Sequence, residues 1–135
     1  MIRVYTASKL SFAPEWEKLQ AGWAEVFFHA RWLHHVKMGT PDTEEFAPTF
    51  WIEDAEDVAI SDAVLVYGGE GEKLRGALVE AGMAIALDIP VVLVGEHPDY
   101  GTWKHHPMVV RVNDFGAAYD YLEALSQRHR YRDAA

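Results

Sequence analysis

The sequence contains no cysteine, so disulfide bonds, thiolate catalysis and cysteine metal sites are excluded, and an intracellular location is allowed. It also has no apolar run close to the ~20 residues that a membrane-spanning helix needs. The opening segment MIRVYTASK predicts a strand followed by polar residues, which is not the pattern of a signal peptide. We therefore expect a cytoplasmic protein with no membrane partner.

Basic residues are scarce in this chain: 12 stand against 21 acidic residues, and the formal charge is -9. A protein that binds duplex nucleic acid normally needs a basic face that releases counterions from the phosphates. A nucleic-acid polymer is therefore not an expected partner. Hydrophobic residues are abundant instead, at 50% of 135 residues, which excludes disorder and supports one domain with a genuine core.

Five short segments have the composition of β-strands, because they are rich in branched and aromatic residues and are bounded by turn formers. The predicted strands are residues 2–6, 25–30, 63–67, 89–94 and 108–112. Helical segments alternate with them, and such alternation gives a parallel sheet with right-handed crossovers. We expect a single-domain α/β fold, a flavodoxin-like parallel sheet of strand order 2-1-3-4-5 with helices on both faces.

Four segments have the apolar spacing of helices. The first predicted helix starts at Ser11 or Pro14 and ends near Gly22, and the second and third cover residues 49–60 and 73–87. The fourth runs from a cap at Asp114 to about Gln127. Residues 31–48 are expected to form a long loop, because Gly39, Pro41 and Pro48 favour turns. Residues 96–107 are a second predicted loop, and residues 128–135 a charged tail after a domain of residues 1–127.

The predicted strand order places the ligand site at the switch point between the first and third strands. The loop after the first strand (residues 7–11), the glycine loop (residues 68–73) and the start of the next helix would meet there. The glycine loop fits a plain turn better than a phosphate cradle. It follows the third strand instead of the first, and it lacks the Lys-Ser/Thr pair of a Walker loop.

Glu80 is the most unusual residue of the predicted helix over residues 73–87. From Gly76 to Leu87 it is the one residue that is neither apolar nor glycine. The positions three and four residues away are Gly76, Ala77, Met83 and Ala84, so no basic side chain on the helix can pair with it. A charged side chain is rarely buried without a partner. Glu80 therefore either points to water at the helix edge or is a functional carboxylate in a pocket wall.

Chemistry at a glycosidic carbon would use a carboxylate of this kind. One carboxylate attacks or stabilises an oxocarbenium-like centre, and a second carboxyl group protonates the leaving group. Glu80 would be the first. The second would come from the acidic positions of the helix over residues 49–60, which are Glu53, Asp54, Glu56 and Asp57. For Asp54, Glu56 and Asp57, a solvated helix face is the alternative interpretation.

Other residue types give weaker functional signals. The pairs His34-His35 and His105-His106 fall in predicted loops and lack the spacing of a helical zinc motif, so we expect no metal site and no cofactor. There is no G-x-S-x-G elbow to support a serine hydrolase. Aromatic residues lie near predicted strand ends, and one or two of them could stack on a nucleobase. They are Tyr5, Trp32, Trp51, Tyr67, Tyr100 and Trp103.

The chain resembles the nucleoside 2-deoxyribosyltransferase-like family. The matching features are the opening I-R-V-Y-T-A-S, the segment I-S-D-A-V-L-V-Y, and above all G-A-L-V-E-A-G-M-A followed by P-V-V-L-V. The last feature is similar to the family's glycine-x-x-x-glutamate-x-glycine-x-alanine helix start, and its glutamate falls on Glu80. The similarity follows the element order across most of the chain, and the helix motif is its specific part.

The resemblance implies that Glu80 is a nucleophile that attacks the anomeric carbon of a 2-deoxyribonucleoside. The covalent glycosyl-enzyme would then pass the sugar to a free base or to water. It also implies a catalytic aspartate on the helix before the third strand, which falls on Asp54 or Asp57.

The resemblance further implies that sugar and base contacts come from Tyr5, Ala7 and Ser8, and Gly76 would complete the pocket. The family usually has an aspartate or serine six residues before the nucleophile, where this chain has Leu74. Glu72 or Lys73 could take over that role.

The sequence therefore predicts N-glycosyl transfer or hydrolysis on a (2-deoxy)nucleoside or nucleotide. The alternative is a catalytically silent module that binds a nucleotide or sugar nucleotide on the same fold, and a structural subunit is a third interpretation. A homodimer or larger homo-oligomer is expected, because the helix over residues 73–87 is apolar nearly all round.

Overall fold

The computed structural model describes residues 1–134 and contains one five-stranded, all-parallel sheet in the order β2-β1-β3-β4-β5. The strands are β1 (Ile2–Ala7), β2 (Val26–Phe28), β3 (Ala63–Tyr67), β4 (Val91–Val94) and β5 (Val109–Val112). The helices are α1 (Ala13–Gly22), α2 (Arg31–Lys37), α3 (Ala47–Ala59), α4 (Gly76–Ala86) and α5 (Phe115–Ala134). The predicted flavodoxin-like α/β fold is confirmed. Within residues 1–134, no helix has the length and hydropathy needed to cross a bilayer.

The central strand β3 and its neighbour β4 have buried valine and leucine side chains. Parallel strands covered on both faces have this continuous apolar composition. Tyr5 of β1 pairs with Val64 of β3, and Ala7 pairs with Val66. Because side chains alternate along a strand, these residues share one face of the sheet. That face carries α4, which packs against β1, β3 and β4.

The opposite face of the sheet carries a group of rings that we call the aromatic cluster. Its members are Phe12, Trp16, Trp23, Phe28, Tyr67, Phe115 and Tyr119. Neighbouring ring centroids lie between 4.5 and 6.4 Å apart, with several edge-to-face pairs. Such rings bury a large apolar area and add favourable ring geometry, so they hold α1 and α5 on the sheet.

The sequence predicts a loop over residues 31–48, and that prediction is wrong for the first seven residues, which form α2. Trp32 fixes this short helix. Its ring is 8% exposed, and its Nε1 donates a 2.8 Å hydrogen bond to the carbonyl of Thr6. The predicted turn occurs only after the end of α2, at Gly39, which has a φ of +73°. The prediction is also wrong for residues 47 and 48, because α3 begins at Ala47 with Pro48 in its first turn, where a missing N–H is tolerated. β2 ends at Phe28 and is shorter than predicted.

The ends of α4 and α5 also differ from the prediction. α4 begins at Gly76 instead of residue 73, because the Asp99 carboxylate accepts the Leu74 N–H at 2.7 Å and keeps residues 71–75 in a loop. Asp114 caps α5 as predicted, accepting the Ala117 N–H at 2.8 Å. The helix then continues to Ala134 and does not end near residue 127, so most of the predicted tail is helical. Residue 135 lies outside the described residues.

Candidate active site

A cavity of about 680 Å³ lies beside the carboxyl ends of β1 and β3. Its walls come from the loop after β1, the loop before α4, the start of α4, and the facing sides of α2 and α3. This volume is within the range of small-molecule sites. The cavity lies at the switch point that the strand order predicts.

Glu80 lies in the wall of this cavity, just over one turn from the start of α4. Its side chain is buried, with 6% of the residue exposed, so the alternative that it points to bulk water is wrong. The Tyr5 hydroxyl donates a hydrogen bond to Oε2, which leaves Oε1 as the oxygen that can face a ligand. Burial raises the pKa of Glu80 to about 8, although the Tyr5 hydrogen bond lowers it. Glu80 therefore retains its proton at neutral pH.

Asp54 faces the same cavity from α3. Burial raises the pKa of Asp54 to about 6; the Tyr5 hydroxyl lowers it, and the charge of Asp57 raises it. Burial and the two neighbouring carboxylates raise the pKa of Tyr5 far above its ordinary value, so its hydroxyl keeps its proton. We call these residues the Tyr5–Glu80–Asp54 cluster. The charge of Asp54 also raises the pKa of Glu80, so the titrations of these two carboxyl groups are coupled.

Asp57 lies outside the cavity, unlike its neighbour Asp54. It is 4% exposed, and its carboxylate accepts the Arg31 backbone N–H at 2.9 Å and the Arg31 Nε–H at 3.0 Å. The guanidinium also lies 3.7 Å from Glu53. Asp57 therefore ties the start of α2 to α3. Of the two predicted catalytic aspartates, the structure brings only Asp54 to Glu80.

Ser8 and Gly76 line the cavity, as expected of substrate-binding residues. The Ser8 hydroxyl is held by Trp16, whose Nε1 donates to Ser8 Oγ at 2.8 Å. A Cβ at position 76 would lie 3.3 Å from the ring of Trp51, so glycine permits this close approach of α3 to α4. Ser8 thus lies on the β1 side of the cavity and Gly76 on its α4 side.

The other predicted substrate-binding residues do not line the cavity. Tyr5 and Ala7 are fully buried in β1, and Tyr5 contacts Glu80 from behind the cavity wall. The Glu72 carboxylate folds back on its own loop and accepts the Gly69 N–H at 2.6 Å. Tyr5 therefore contacts Glu80 through a hydrogen bond instead of contacting a ligand, and Glu72 stabilises the glycine loop.

Trp32 is among the aromatic residues that the sequence indicates could stack on a base, but the helix α2 and the role of His35 in the cavity wall were not predicted. Trp32 and His35, which lie one helical turn apart, both line the cavity. His35 Nε2 lies 2.7 Å from Glu53 Oε1, and its ring centroid lies 5.1 Å from that of Phe50. The i, i+3 spacing of a tryptophan and a histidine is the signal that could have located this wall.

The histidines are spread over separate parts of the fold. Within residues 1–134, no three histidine, aspartate or glutamate side chains come together as a metal site requires. His97 is buried, accepts the Asp99 N–H at Nδ1 and packs on Gly68. A Cβ at position 68 would lie 2.7 Å from the His97 ring, so packing accounts for the first glycine of the loop.

In comparisons with known proteins, no protein-family model and no curated protein matches this chain. A functional assignment therefore depends on the geometry of the cavity and on the chemistry of the side chains that line it.

Proposed function

We propose that the protein cleaves the N-glycosidic bond of a (2-deoxy)nucleoside or nucleotide and transfers the glycosyl group to a base or to water. The observation that supports this proposal is the buried Glu80 carboxyl group, paired across the cavity with Asp54 and hydrogen-bonded by Tyr5. Glycosyl chemistry needs two carboxyl groups whose environments give them different protonation states. The resemblance of the segment around Glu80 to a glycosyl-transferring family points to the same reaction.

The protonation of the pair determines the chemistry. Between pH values of about 6 and about 8 the two carboxyl groups together hold one proton. In the reactive arrangement Asp54 carries that proton and Glu80 is ionised, with its charge supported by the Tyr5 hydroxyl. Positive charge developing on the sugar ring favours this arrangement, because the ionised Glu80 lies beside it in a site of low dielectric constant.

The first step breaks two bonds, the C–N bond and the O–H bond of Asp54, and forms two. Glu80 Oε1 bonds to the anomeric carbon, the electrons of the C–N bond pass to the base, and the proton of Asp54 moves to the leaving nitrogen. In the second step Asp54, now a carboxylate, takes a proton from water or from an incoming base, which displaces Glu80 from the sugar. Two displacements retain the configuration of the anomeric carbon.

The aromatic wall of the cavity supplies a surface for the base. Trp32 of α2 and Phe50 and Trp51 of α3 line it, and planar rings of this kind stack on planar ligands. Ser8 lies on the β1 side of the cavity, where its hydroxyl accepts from Trp16 and donates to the Lys9 carbonyl. The base is therefore proposed to lie against α2 and α3, with the sugar between Glu80 and Asp54.

The test is a panel of deoxynucleosides and nucleotides incubated with the protein and analysed by chromatography for free base. Glu80→Gln should lower base release by about 1,000-fold or more, because it removes the group that attacks the reacting carbon. Intact-mass measurement should find a pentose adduct on the wild type and none on the variant. Glu70→Gln, at an exposed carboxylate of the glycine loop, is the matched control and should keep full activity. No base release or base exchange from any member of the panel would contradict the proposal.

A second candidate is a non-catalytic module that binds a nucleotide in the same cavity. Leu74 favours it, because this 5% exposed side chain places methyl groups in the cavity wall where a polar sugar contact would otherwise lie. Such a module would gain thermal stability with a nucleotide, since binding stabilises the native state by mass action. Stabilisation without base release would select this candidate.

We also propose that two copies associate through the outer faces of α3 and α4. Four apolar side chains on these helices or at their C-caps are at least half exposed: Ile52, Ile60, Val79 and Leu87. Apolar patches of this kind on a small protein are typical of interfaces. Light scattering measures the molar mass in solution, which should be about twice the 15.3 kDa of one chain if two copies associate. A mass of one chain would contradict the proposal.

A further inference from the structure

The wall of the cavity against which the base is proposed to lie also carries polar groups. His35 belongs to α2, and Thr40 and Asp42 belong to the loop that joins α2 to α3; all three line the cavity. The lysine and arginine side chains of the lining come instead from the loop after β1 and the loop before α4. The edge of a base stacked on Trp32 or Phe50 would therefore meet an imidazole, a carboxylate and a hydroxyl.

Glu53 determines which ring nitrogen of His35 carries a proton. His35 Nε2 lies 2.7 Å from Glu53 Oε1, and a carboxylate oxygen can only accept, so the Nε2–H group donates in this contact. Arg31 Nη1 lies 3.7 Å from Glu53 Oε2 and balances the charge of the carboxylate, so the contact does not require a second proton on the ring. In the neutral ring Nδ1 is consequently an acceptor.

Asp42 and Thr40 complete this set of polar groups. Asp42 is exposed at the cavity, and its carboxylate oxygens accept hydrogen bonds. The Thr40 hydroxyl can both donate and accept. Two acceptors and one adaptable hydroxyl are therefore available to the edge of a bound base.

The common bases differ in the groups that they would place at this wall. Cytosine and adenine carry an amino group, which donates two hydrogen bonds, beside a ring nitrogen that accepts one. Thymine, uracil and hypoxanthine carry a carbonyl oxygen at the same position, beside a single ring N–H. The amino group can donate to both Asp42 and His35 while Thr40 donates to the ring nitrogen. A carbonyl oxygen at the same place would instead oppose an acceptor.

We propose that the substrate base carries an amino group beside an unprotonated ring nitrogen, as cytosine and adenine do, and that Asp42 and His35 select it, an assignment that rests on the proposed function. A site that hydrogen-bonds a substrate group discriminates against an analogue that lacks the group, because its own polar atoms are then left without partners. The carbonyl oxygen of a keto base would also lie against the negative charge of Asp42, which adds repulsion. Glu53 is a positioning residue in this arrangement, because it acts through His35.

The experiment measures base release from two pairs of substrates, deoxycytidine with deoxyuridine and deoxyadenosine with deoxyinosine, each supplied as nucleoside and as nucleotide. Within a pair, an amino group beside a ring nitrogen is replaced by a carbonyl group beside a ring N–H. In each pair that the protein cleaves, kcat/KM for the amino base should exceed that for the keto base by at least about tenfold.

Variants separate recognition from the intrinsic reactivity of the bases, because the same two substrates are compared in every protein. Asp42→Asn keeps the size of the side chain, adds an N–H donor and should lower the ratio of amino to keto cleavage by about tenfold. His35→Phe keeps a ring beside Phe50, whose centroid lies 5.1 Å from that of His35, but removes Nδ1. It should lower the ratio by about fivefold. Glu45→Gln removes a negative charge from an exposed position of the same loop outside the cavity lining and should keep the wild-type ratio.

Two results would overturn the inference while the proposed function stands: equal cleavage within both pairs, or a ratio that keeps its wild-type value in both Asp42→Asn and His35→Phe. Absence of base release from every substrate would instead contradict the proposed function. The selection of the base is then tested by thermal shift with deoxycytidine and deoxyuridine. Greater stabilisation by deoxycytidine that is lost in Asp42→Asn supports the inference, and equal or absent stabilisation overturns it.

Discussion

The two faces of the sheet bury different kinds of side chain. One face carries the aromatic cluster, whose rings join α1 and α5 to the strands. The other face, under α4, buries Tyr5 and Glu80 beside Asp54. Burial of apolar rings lowers the free energy of the folded state, whereas burial of carboxyl groups raises it unless they are neutralised or paired. The raised pKa values of Glu80 and Asp54 are the direct consequence.

The buried apolar rings lie on one face, and the carboxyl groups with raised pKa values lie on the other. Groups with strongly shifted pKa values concentrate at functional sites, where the surrounding structure maintains an arrangement that is unfavourable by itself. The aromatic cluster provides such support here, since β1 carries Tyr5 on one face and packs against α5 with the other. Substitutions on the two faces should therefore have separable effects on folding and on catalysis.

The largest effect on folding is expected from Trp23→Ala in the aromatic cluster. This ring is 8% exposed and lies 5.5 Å from Phe28 and 5.2 Å from Tyr119. Its removal should lower the free energy of unfolding by about 3–5 kcal/mol, because a large buried ring leaves a cavity. Denaturant unfolding measures this change. Phe27→Ala, at a half-exposed ring on the neighbouring strand β2, should have a much smaller effect. If Trp23→Ala also lost turnover per folded molecule, the effects of the two faces on folding and on catalysis would not be separable.

A smaller effect of opposite sign is expected from Glu80→Gln. The folded protein keeps the Glu80 proton up to a pKa of about 8, whereas the unfolded chain releases it near the ordinary value of 4.5. The contribution of Glu80 to stability is therefore fully present below pH 4.5 and is lost as the pH rises to about 8. Glutamine has no proton to release. The variant should become more stable than the wild type with rising pH, by on the order of a few kcal/mol.

Denaturant unfolding of the wild type and Glu80→Gln between about pH 5 and pH 8 gives the two stability curves. Glu70→Gln serves as the control, since this exposed carboxylate should give a curve parallel to that of the wild type. Parallel curves for Glu80→Gln and the wild type would mean that Glu80 is ionised in the folded protein at neutral pH.

The smallest effect is expected from Tyr5→Phe, which removes one hydroxyl from the reactive face. The Tyr5 hydroxyl lowers the pKa of both Glu80 and Asp54, so its loss should move both limbs of the pH–rate profile to higher pH. Turnover at neutral pH should fall by about tenfold, which corresponds to one hydrogen bond to a charged group.

The matched control for Tyr5→Phe is Tyr100→Phe. The Tyr100 hydroxyl is also buried, but it donates to the Val94 carbonyl at 3.1 Å and lies outside the Tyr5–Glu80–Asp54 cluster. Its loss should leave the pH optimum unchanged. An unshifted profile in Tyr5→Phe would remove Tyr5 from the proposed chemistry.

Most of the fold could be predicted from local patterns. Apolar runs such as Val91–Val94 are long enough and branched enough to specify buried strands, and their alternation with helices fixes a parallel sheet. The helix α2 could not be predicted in this way. It has seven residues, too few for a reliable period, and its stability comes from the burial of Trp32 and from the Arg31–Asp57 contacts.

The candidate site was predictable in part. Glu80 is conspicuous because small apolar residues surround it in sequence, and the strand order indicates the edge of the sheet at which it lies. The choice between Asp54 and Asp57 was not predictable. Both lie on the acidic side of α3, and the choice depends on which of them meets Arg31, a residue more than twenty positions earlier in the chain.

The sequence by itself determined the layered α/β architecture and the isolation of one acid on α4, because periodicity and composition act within single elements. The tertiary structure decided which acids share the cavity. It buries Glu80 on the Tyr5 hydroxyl, places Asp54 opposite and neutralises Asp57 with Arg31. These assignments depend on desolvation and on charges brought together from distant segments, and no local pattern contains that information.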